Sequence, residues 1–422
     1  MKLIRTYGKS AKEAERTLQR IESRTATATA RLEPAVKRTI ASVRSGGDTA
    51  LRRYAERLDG LELSAPIAVS RDEMAAAWEE TPADLRKAMT TAAANIRRFA
   101  RWQMPKSWVR KSQGISLGQR CLPLASVGCY VPGGRYPLPS TLFMTTLPAQ
   151  VAGVERIVVV SPGPARETLA AAHLAGVKEF YRIGGAQAIA ALAYGTAHIP
   201  RVDKIVGPGN LYVTTAKKLV AFDCGIDMLA GPTEIVVASQ HGNARWIASD
   251  LVAQAEHDPE TLAVLVTGNA ELAQATLKEV QKQSAKNKIA KQALAKNGFI
   301  FLTRTKNETA TITNRLATEH LTIDSERDLA WVRHAGSIFI NTRTPQSMGD
   351  YISGPNHVLP TGRVARIRGG LSVYDFLRLV TTQEYTAAGL RELGPYAVRL
   401  AEAEGLAGHA ASVRARVEGI RR

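Results

Sequence analysis

The chain has 422 residues, of which 45% are hydrophobic and 22% are charged, a composition typical of soluble globular proteins. Lys and Arg outnumber Asp and Glu by 56 to 38, which gives a net charge of +18. The basic residues are spread along the chain and form no recognisable nucleic-acid motif, so we predict a basic surface that attracts anions and no specific nucleic acid. No apolar run predicts a membrane span, and the opening MKLIRTYGKS lacks the apolar core of a signal peptide. We therefore expect a cytoplasmic protein that does not bind membranes.

The first hundred residues predict helices. Residues 10–60 carry apolar residues at helical spacing around a break at Gly46 and Gly47, and residues 72–101 predict further helix. Residues 107–134 alternate and are rich in glycine, which predicts short strands and turns.

From residue 154 onward, short apolar runs alternate with helical segments. VERIVVVSP, VKEFYRIGG and KIVGPG predict strands, and the rhythm resumes with TEIVVAS, TLAVLVTG and FIFLTR. Repeated strand–helix units imply parallel sheets covered on both faces, and the length fits two of them. The last 45 or so residues predict an Arg-rich helical tail without a strand.

Three glycine-rich turns, at 130–134, 184–187 and 207–210, end successive predicted strands. Ligands of open parallel sheets bind at the carboxyl ends of strands, where helix N-termini favour phosphate. The chain contains no G-x-G-x-x-G, however, so a dinucleotide site does not follow from these turns alone.

Two short polar clusters could carry chemistry. Gln254 and His257 are three residues apart near a predicted helix end and would share a face, so both could contact a cation. Glu319 and His320 are predicted to close a helix and could transfer protons. Taken alone, each cluster is more typical of an ordinary polar helix end or surface than of a functional site.

Two further segments hold polar residues. The Gly- and Pro-rich loop 349–360 contains Asp350, Asn356 and His357 and is a plausible wall of a site. Glu404 and His409 lie in the predicted tail, where a lone histidine is usually a surface residue. The three cysteines show no C-x-x-C spacing, which argues against a thiolate zinc site.

Taken together, these segments resemble the histidinol dehydrogenase family. The resemblance runs in order from about Val36 to His409 and rests on several motifs: VRSGGDTALRRYAERLD, VGCYVPGGRYPLPSTLFMTTLPAQVAGV, DMLAGPTEIVV, AQAEHDP, ATEHL, GDYISGPNHVLPT and EGL-x-x-H.

The resemblance implies an α/β fold with two parallel-sheet, incomplete Rossmann-like lobes, N-terminal helices and a helical C-terminal tail. The implied divisions are an N-terminal helical segment at 1–22, a discontinuous first lobe at 23–127 and 235–378, an NAD-binding second lobe at 128–234, and a tail at 379–422 that is exchanged in a homodimer with shared active sites.

The resemblance also assigns roles. Glu319 and His320 match the family's proton-transfer pair, His320 taking the hydroxyl proton and Glu319 activating water. One Zn²⁺ per site and NAD are the implied cofactors, and L-histidinol, oxidised through the aldehyde to the acid, is the implied substrate. The remaining matches are the zinc ligands Gln254, His257, Asp350 and His409, the substrate contacts Thr233, His357 and Glu404, and the NAD contacts Tyr130, Gln187 and Asn210.

Two positions depart from the family's pattern, and three other functions stay open. Thr233 occupies a position that is commonly Ser, and Ala100 one that is commonly His. The alternative within enzymes is a related zinc- and NAD-dependent dehydrogenase for another small polar amino or hydroxy alcohol. A zinc-stabilised scaffold that binds nucleic acid is a different class of function. A zinc hydrolase is disfavoured because the chain has no H-E-x-x-H.

Overall fold

The structure is a computed structural model that describes residues 1–24, 26–62, 64–133 and 136–420, and the side chains of all of these except 26–30. Its strands are β1 (Lys2–Arg5), β2 (Trp108–Ser112), β3 (Ile115–Pro123), β4 (Ser126–Tyr130), β5 (Arg156–Val160), β6 (Glu179–Tyr181), β7 (Lys204–Val206), β8 (Gly225–Ile226), β9 (Glu234–Ala238), β10 (Leu262–Thr267), β11 (Gly298–Leu302), β12 (His320–Ile323), β13 (Ser337–Ile340) and β14 (Leu377–Tyr385).

The α-helices alternate with these strands over most of the chain. They are α1 (Ala11–Glu22), α2 (Ala26–Asp59), α3 (Arg71–Glu79), α4 (Ala83–Gln103), α5 (Pro139–Ala152), α6 (Arg166–Ala175), α7 (Gly185–Tyr194), α8 (Leu211–Val220), α9 (Ala244–Ala255), α10 (Ala270–Gln283), α11 (Lys288–Asn297), α12 (Lys306–Leu316), α13 (Gln346–Tyr351), α14 (Ala387–Ala403) and α15 (Ala407–Gly419). None of the helices in the described ranges is long and apolar enough to cross a bilayer.

The larger sheet has six parallel strands in the order β1-β11-β10-β9-β12-β13. Its central strands are apolar runs because both faces are covered. In β9, Ile235 and Val237 pack into the core on one face, while Val236 and Ala238 pack into the core on the other. The expected parallel sheet covered on both faces is therefore confirmed.

The second parallel sheet has five strands in the order β6-β5-β4-β7-β8. Its core includes apolar residues of α2, α7 and α8. The expected break in the N-terminal helices is a kink in α2, where Gly47 takes φ 50° and ψ −136°. Glycine reaches a positive φ without the steric cost other residues meet, which explains why the bend falls there.

Helix α5 is buried on nearly all sides and connects this sheet to the loop 349–360. Of its fourteen residues, ten are buried, and the helix packs against α4, α6 and β4. A helix with no polar face belongs in a protein interior. Two polar contacts from a later loop reach it: Asn356 Nδ2 donates to the carbonyl oxygen of Met144 at 2.6 Å, and His357 Nε2 lies 3.1 Å from the Thr141 hydroxyl.

Both parallel sheets belong to one compact unit, residues 1–103 with 125–375, while residues 104–124 with 376 onward form a second unit. The second unit contains an antiparallel sheet in the order β14-β3-β2, together with α14 and α15. The division of the chain into lobes with the boundaries given above stays a prediction.

Two elements differ from the expected helical segments. The tail at 379–422 is not helical throughout, because β14 continues to Tyr385 and pairs with the whole of β3. Its β-branched Val380, Thr381 and Thr382 suit a strand. The 1–22 segment begins with β1, which pairs with β11 and buries Ile4, and only then turns helical. Four residues are too few for a periodic signal to reveal such a strand.

Candidate active site

The residues predicted for proton transfer lie at the amino edge of the six-stranded sheet. The sequence predicts that Glu319 and His320 close a helix, but α12 ends at Leu316, and Ala317 takes a left-handed conformation with φ 47°. The chain then enters β12 at His320, since HLTI is an apolar run with β-branched residues. The helix-end prediction is therefore wrong, and strand pairing sets the position of the pair: His320 lies opposite Ile235 of β9.

The Glu319 carboxylate is held between the starts of two neighbouring strands. Thr233, one residue before β9, donates its hydroxyl hydrogen to Glu319 Oε2. The same oxygen accepts the backbone N–H of Glu234 at 2.8 Å. Burial raises the pKa of Glu319, and the opposing effects of His320 and of these two donors do not cancel it. A carboxyl group in this state exchanges protons closer to neutral pH than an exposed one does.

The His320 ring is fixed at both nitrogens. Its Nδ1 lies 3.2 Å from the carbonyl oxygen of Glu234, and its Nε2 lies 3.4 Å from Asp350 Oδ1. The ring stacks on Phe339 with the ring centroids 5.9 Å apart. Burial by itself lowers the pKa of His320, but the charges of Glu319 and Asp350 outweigh burial and raise the pKa to about 8. With Nδ1–H bound to a carbonyl, Nε2 is the nitrogen that gains or loses the proton as the ring titrates.

The loop after α13 supplies the facing wall. The backbone carbonyl of Asp350 accepts from His357 Nδ1 at 2.8 Å. Burial lowers the pKa of His357, so its ring is mostly neutral near pH 7. Together with His320 and Phe339, these residues line a cavity of about 190 Å³.

Gln254 and His257 lie at the same end of α9 but in different surroundings. Gln254 is buried, and its Oε1 accepts from Gln346 Nε2 at 2.6 Å while its Nε2 donates to the Thr233 hydroxyl. His257 follows Glu256, which caps the C-terminus of α9, and is exposed. The three-residue spacing therefore brings both residues to one helix end, with one inside the protein and one at its surface.

The residues predicted to bind metal include a carboxylate that stays ionised. Burial raises the pKa of Asp350, but His320, His357 and His257 outweigh burial and hold it below the ordinary value. Within the described ranges, no group of three or more His, Cys, Asp or Glu side chains could hold a metal ion. Of the four predicted zinc ligands, Gln254, His257 and Asp350 lie in the larger unit. Imidazole nitrogen and carboxylate oxygen are donors that Zn²⁺ accepts, so these residues fit a zinc ion that needs further ligands.

Glu404 and His409 lie in the second unit. Glu404 caps the C-terminus of α14, His409 is in the first turn of α15, and both side chains are exposed. An ion pair between Glu402 and Arg414 joins the two helices.

The three residues predicted to contact NAD line one large cleft. Tyr130 ends β4, Gln187 is in the first turn of α7, and Asn210 precedes α8. All three border a cavity of about 1000 Å³ at the carboxyl edge of the five-stranded sheet. Gly134 of the first glycine-rich turn lies outside the described residues. The remaining turns therefore meet at the edge where a parallel sheet binds ligands.

The turn before α8 is held by a buried ion pair. Lys217 and Asp227 contact each other, and their side chains are 2% and 0% exposed. Lys217 Nζ donates to the carbonyl oxygen of Gly207 at 3.0 Å, and Asp227 Oδ2 accepts the N–H of the same residue at 2.7 Å. Gly207 has φ 111°, and a side chain there would collide with the Tyr130 carbonyl. The pair thus fixes the turn that presents Asn210 to the cleft.

Sequence reasoning missed several residues of these sites. Asp59 lines the cleft and accepts hydrogen bonds from Gly184 and Gln187, although it is 125 residues or more away in the chain. Lys217 and Asp227 resemble surface charges in the sequence, and no local spacing connects either of them to Gly207. The available signals were that Asp59 ends the motif VRSGGDTALRRYAERLD and that Asp227 begins the motif DMLAGPTEIVV.

Comparisons with known proteins agree along the chain. The family model described as histidinol dehydrogenase matches residues 22–417. Histidinol dehydrogenase of Gluconobacter oxydans is 47% identical over 396 residues, covering 91% of this chain and 92% of that protein. The Synechococcus sp. protein of that name is 44% identical, covering 97% and 98%. The crystal structure of histidinol dehydrogenase from Elizabethkingia anophelis matches with a TM-score of 0.93 and 32% identity, covering 100% of this chain and 99% of that one.

Glu234 beside the site makes stability depend on pH. Burial raises its pKa from 4.5 to about 8; Arg24 opposes this and Glu319 adds to it. The folded state therefore retains a proton that the unfolded state loses, so its stabilising effect is full below pH 4.5 and is lost as the pH rises through about 8. Glu234→Gln keeps an acceptor for the Gly362 N–H but cannot ionise.

We expect Glu234→Gln to match the wild type most closely in urea unfolding at about pH 4 and to be more stable at about pH 9, by several kcal/mol at most, at about 1.4 kcal/mol per pKa unit. Glu56→Gln, which removes an exposed carboxylate, is the control. Equal pH dependence in the wild type and Glu234→Gln would show that Glu234 is not buried as a neutral acid.

Proposed function

Because this chain belongs to the histidinol dehydrogenase family, we propose that it oxidises L-histidinol through L-histidinal to L-histidine, with NAD⁺ accepting a hydride in each step. Family membership supports the broader statement, an NAD-dependent histidinol dehydrogenase of histidine biosynthesis. The two-step oxidation is supported by one observation: Thr233 and Glu319 lie with His320 and Asp350 at one edge of the sheet. A related dehydrogenase for another small polar amino or hydroxy alcohol is the alternative. A cytoplasmic location stays a prediction.

We propose that a zinc ion is held by Gln254, His257 and Asp350, with His409 as the fourth ligand. Bound there, Zn²⁺ would polarise the substrate and orient its amine and imidazole. The ionised Asp350 and the amide of Gln254 suit this ligand set. His357, and Glu404 from the tail, would contact the substrate. A carboxylate such as Glu404 suits an imidazole N–H.

The two proton-transfer residues have different tasks. His320 Nε2 takes the hydroxyl proton of the alcohol as hydride leaves, since Nδ1 is engaged with the carbonyl of Glu234. Glu319 removes a proton from the water that attacks the aldehyde, and its raised pKa suits a base that works near neutral pH. The second hydride then leaves from the hydrated aldehyde, and the acid is formed.

Thr233 departs from the family's usual Ser but keeps the hydroxyl that matters. Its oxygen accepts a hydrogen bond from Gln254, and its hydrogen goes to Glu319. A serine could form both bonds, so the extra methyl group changes only the shape of the pocket. Thr233 therefore aligns Glu319 and Gln254 as well as contacting the substrate.

The function is tested by measuring NADH formation from histidinol, histidinal and alcohols that lack the imidazole or the amine. We expect histidinol and histidinal to be the best substrates, since both groups would ligate the metal.

A strong chelator should abolish turnover and Zn²⁺ should restore it, while His257→Ala and Asp350→Ala should bind zinc more weakly. A clearly better substrate without imidazole would favour the alternative, and full activity of metal-free protein would exclude the zinc proposal.

Separate substitutions distinguish the roles of Glu319 and His320. His320→Asn should slow oxidation of both histidinol and histidinal, by about 10²–10⁴-fold. Glu319→Gln should slow the aldehyde step much more than the alcohol step, because only that step requires water. Single-turnover NADH formation from each substrate gives the two rates. Normal aldehyde oxidation by Glu319→Gln would exclude it as the base for water.

We propose that the active unit is a homodimer in which the tail of each subunit completes the partner's site. One variant carries Gln254→Ala with His257→Ala, and the other carries His409→Ala. Each homodimer should be nearly inactive. After joint unfolding and refolding, activity should return to roughly a quarter of wild type, since about half the dimers are mixed and each has one intact site. No recovery, with mixed dimers verified by mass, would mean that His409 acts within its own subunit.

A further inference from the structure

Asp59, at the end of α2, reaches the large cleft from outside the five-stranded sheet. Its carboxylate is half-buried and lines the cleft with Tyr130 and Gln187. One oxygen, Oδ2, accepts the backbone N–H of Gly184 at 3.0 Å and the side-chain Nε2 of Gln187 at 3.1 Å. The carboxylate therefore binds the start of α7 and one of its side chains together.

This contact determines which way the Gln187 amide points. A carboxylate offers only acceptors, so the NH₂ group of Gln187 must face Asp59 and the carbonyl oxygen must face away. Gln187 is 1% exposed, and its Oε1 has no hydrogen-bond partner in the described part of the chain. Buried acceptors are seldom left unpaired, so Oε1 is suited to a ligand that brings a donor.

The lining of the cleft carries charged side chains of both signs. Among its described lining residues, Arg38, Arg57 and Asp59 are the charged ones. The two arginines are exposed on α2 and suit a phosphate. At α8, the amides of Tyr212 and Val213 are already capped by Asn210 Oδ1 at 3.0 and 3.1 Å, which leaves fewer donors for phosphate there. The region at Asp59 and Gln187, in contrast, offers acceptors and suits hydroxyl groups.

We propose that Asp59 and Gln187 form an acceptor pair that binds the ribose hydroxyls of the dinucleotide, with Asp59 also holding the Gln187 amide in its binding orientation. The proposal rests on the use of a dinucleotide in the proposed function. Asp59 becomes a cofactor-binding residue contributed by the N-terminal helix. A ribose hydroxyl can donate to Asp59 or to Gln187 Oε1, whereas a phosphate at the same position would be repelled by the carboxylate.

The decisive variants are Asp59→Asn, which keeps the shape but removes the charge, and Gln187→Leu, which removes Oε1. Glu56→Gln is the matched control, since it removes a negative charge from the same helix outside the cleft lining. We expect the dissociation constant for NAD⁺, measured by calorimetry, to rise about tenfold in each cleft variant and not in the control. The KM for histidinol at saturating NAD⁺ should stay unchanged, which a general loss of structure would not allow.

Either ribose of the dinucleotide could supply the hydroxyls, and two ligands distinguish them. If the adenosine ribose binds, the ratio of kcat/KM for NADP⁺ to that for NAD⁺ should rise about tenfold in Asp59→Asn, because repulsion of the 2′-phosphate is relieved. If the nicotinamide ribose binds, that ratio should be the same in Asp59→Asn as in the wild type, and Asp59→Asn should bind nicotinamide mononucleotide more weakly than the wild type does. Both results support the acceptor pair.

The proposal is overturned if NAD⁺ affinity in both cleft variants stays within about twofold of Glu56→Gln. A test on the unsubstituted protein guards against misfolded variants: 2′-deoxy-ADP should bind more weakly than ADP, or nicotinamide riboside more tightly than nicotinamide, and equal affinities within both pairs would reject the proposal. If the wild type binds NAD⁺ in this way but does not oxidise histidinol, the proposed function fails and the acceptor pair stands.

Discussion

The arrangement of the site depends on one buried carboxylate. Glu319 Oε2 accepts the N–H of Glu234 and the hydroxyl of Thr233, so it joins the chain entering β9 to the chain entering β12. Parallel pairing already sets His320 opposite Ile235. The hydrogen bonds to Glu319 therefore fix this carboxylate beside a histidine whose position the sheet determines. Burying a carboxylate without such donors would destabilise the folded state. The position of Glu319 therefore depends on the starts of both strands.

The two parallel sheets present their sites at opposite edges. The residues proposed to contact NAD follow the carboxyl ends of β4, β6 and β7, where ligands of open parallel sheets bind. The proposed proton-transfer pair instead lies at the amino edge of the six-stranded sheet, where α9 ends and the strands begin. Helix α5 connects the regions, since it packs on β4 and contacts Asn356 and His357 of the site wall. Ten of the fourteen residues of α5 are buried, so the helix is closely packed between the two regions.

The alternation of strands and helices after residue 154 could be predicted because each apolar run is bounded by glycine or polar residues and has a length typical of its element. The strand β14 could not be predicted in this way, because its exposed residues show no alternating pattern. It is stabilised by pairing with β3, more than 250 residues earlier in the chain. Among site residues, motifs pointed to Glu319, His320 and Asn210. Asp59, Lys217 and Asp227 act through contacts with distant backbone, such as Gly184 and Gly207, which no local spacing reveals.

The proposed proton-transfer pair lies at the amino edge of the six-stranded sheet, so the opposite edge holds no proposed catalytic, metal-binding or cofactor-binding residue. There the chain passes from strand to helix through short capped turns, with Asn243 and Asn269 each capping a helix through the side-chain oxygen. These turns are hydrogen-bonded to each other through Gln240, which accepts from Gly268 N–H and Asn269 Nδ2, but His241 between them is exposed. Exposed turn positions tolerate change better than packed ones do, so residue 241 is a suitable place to attach a fluorescent reporter for following cofactor binding from a distance.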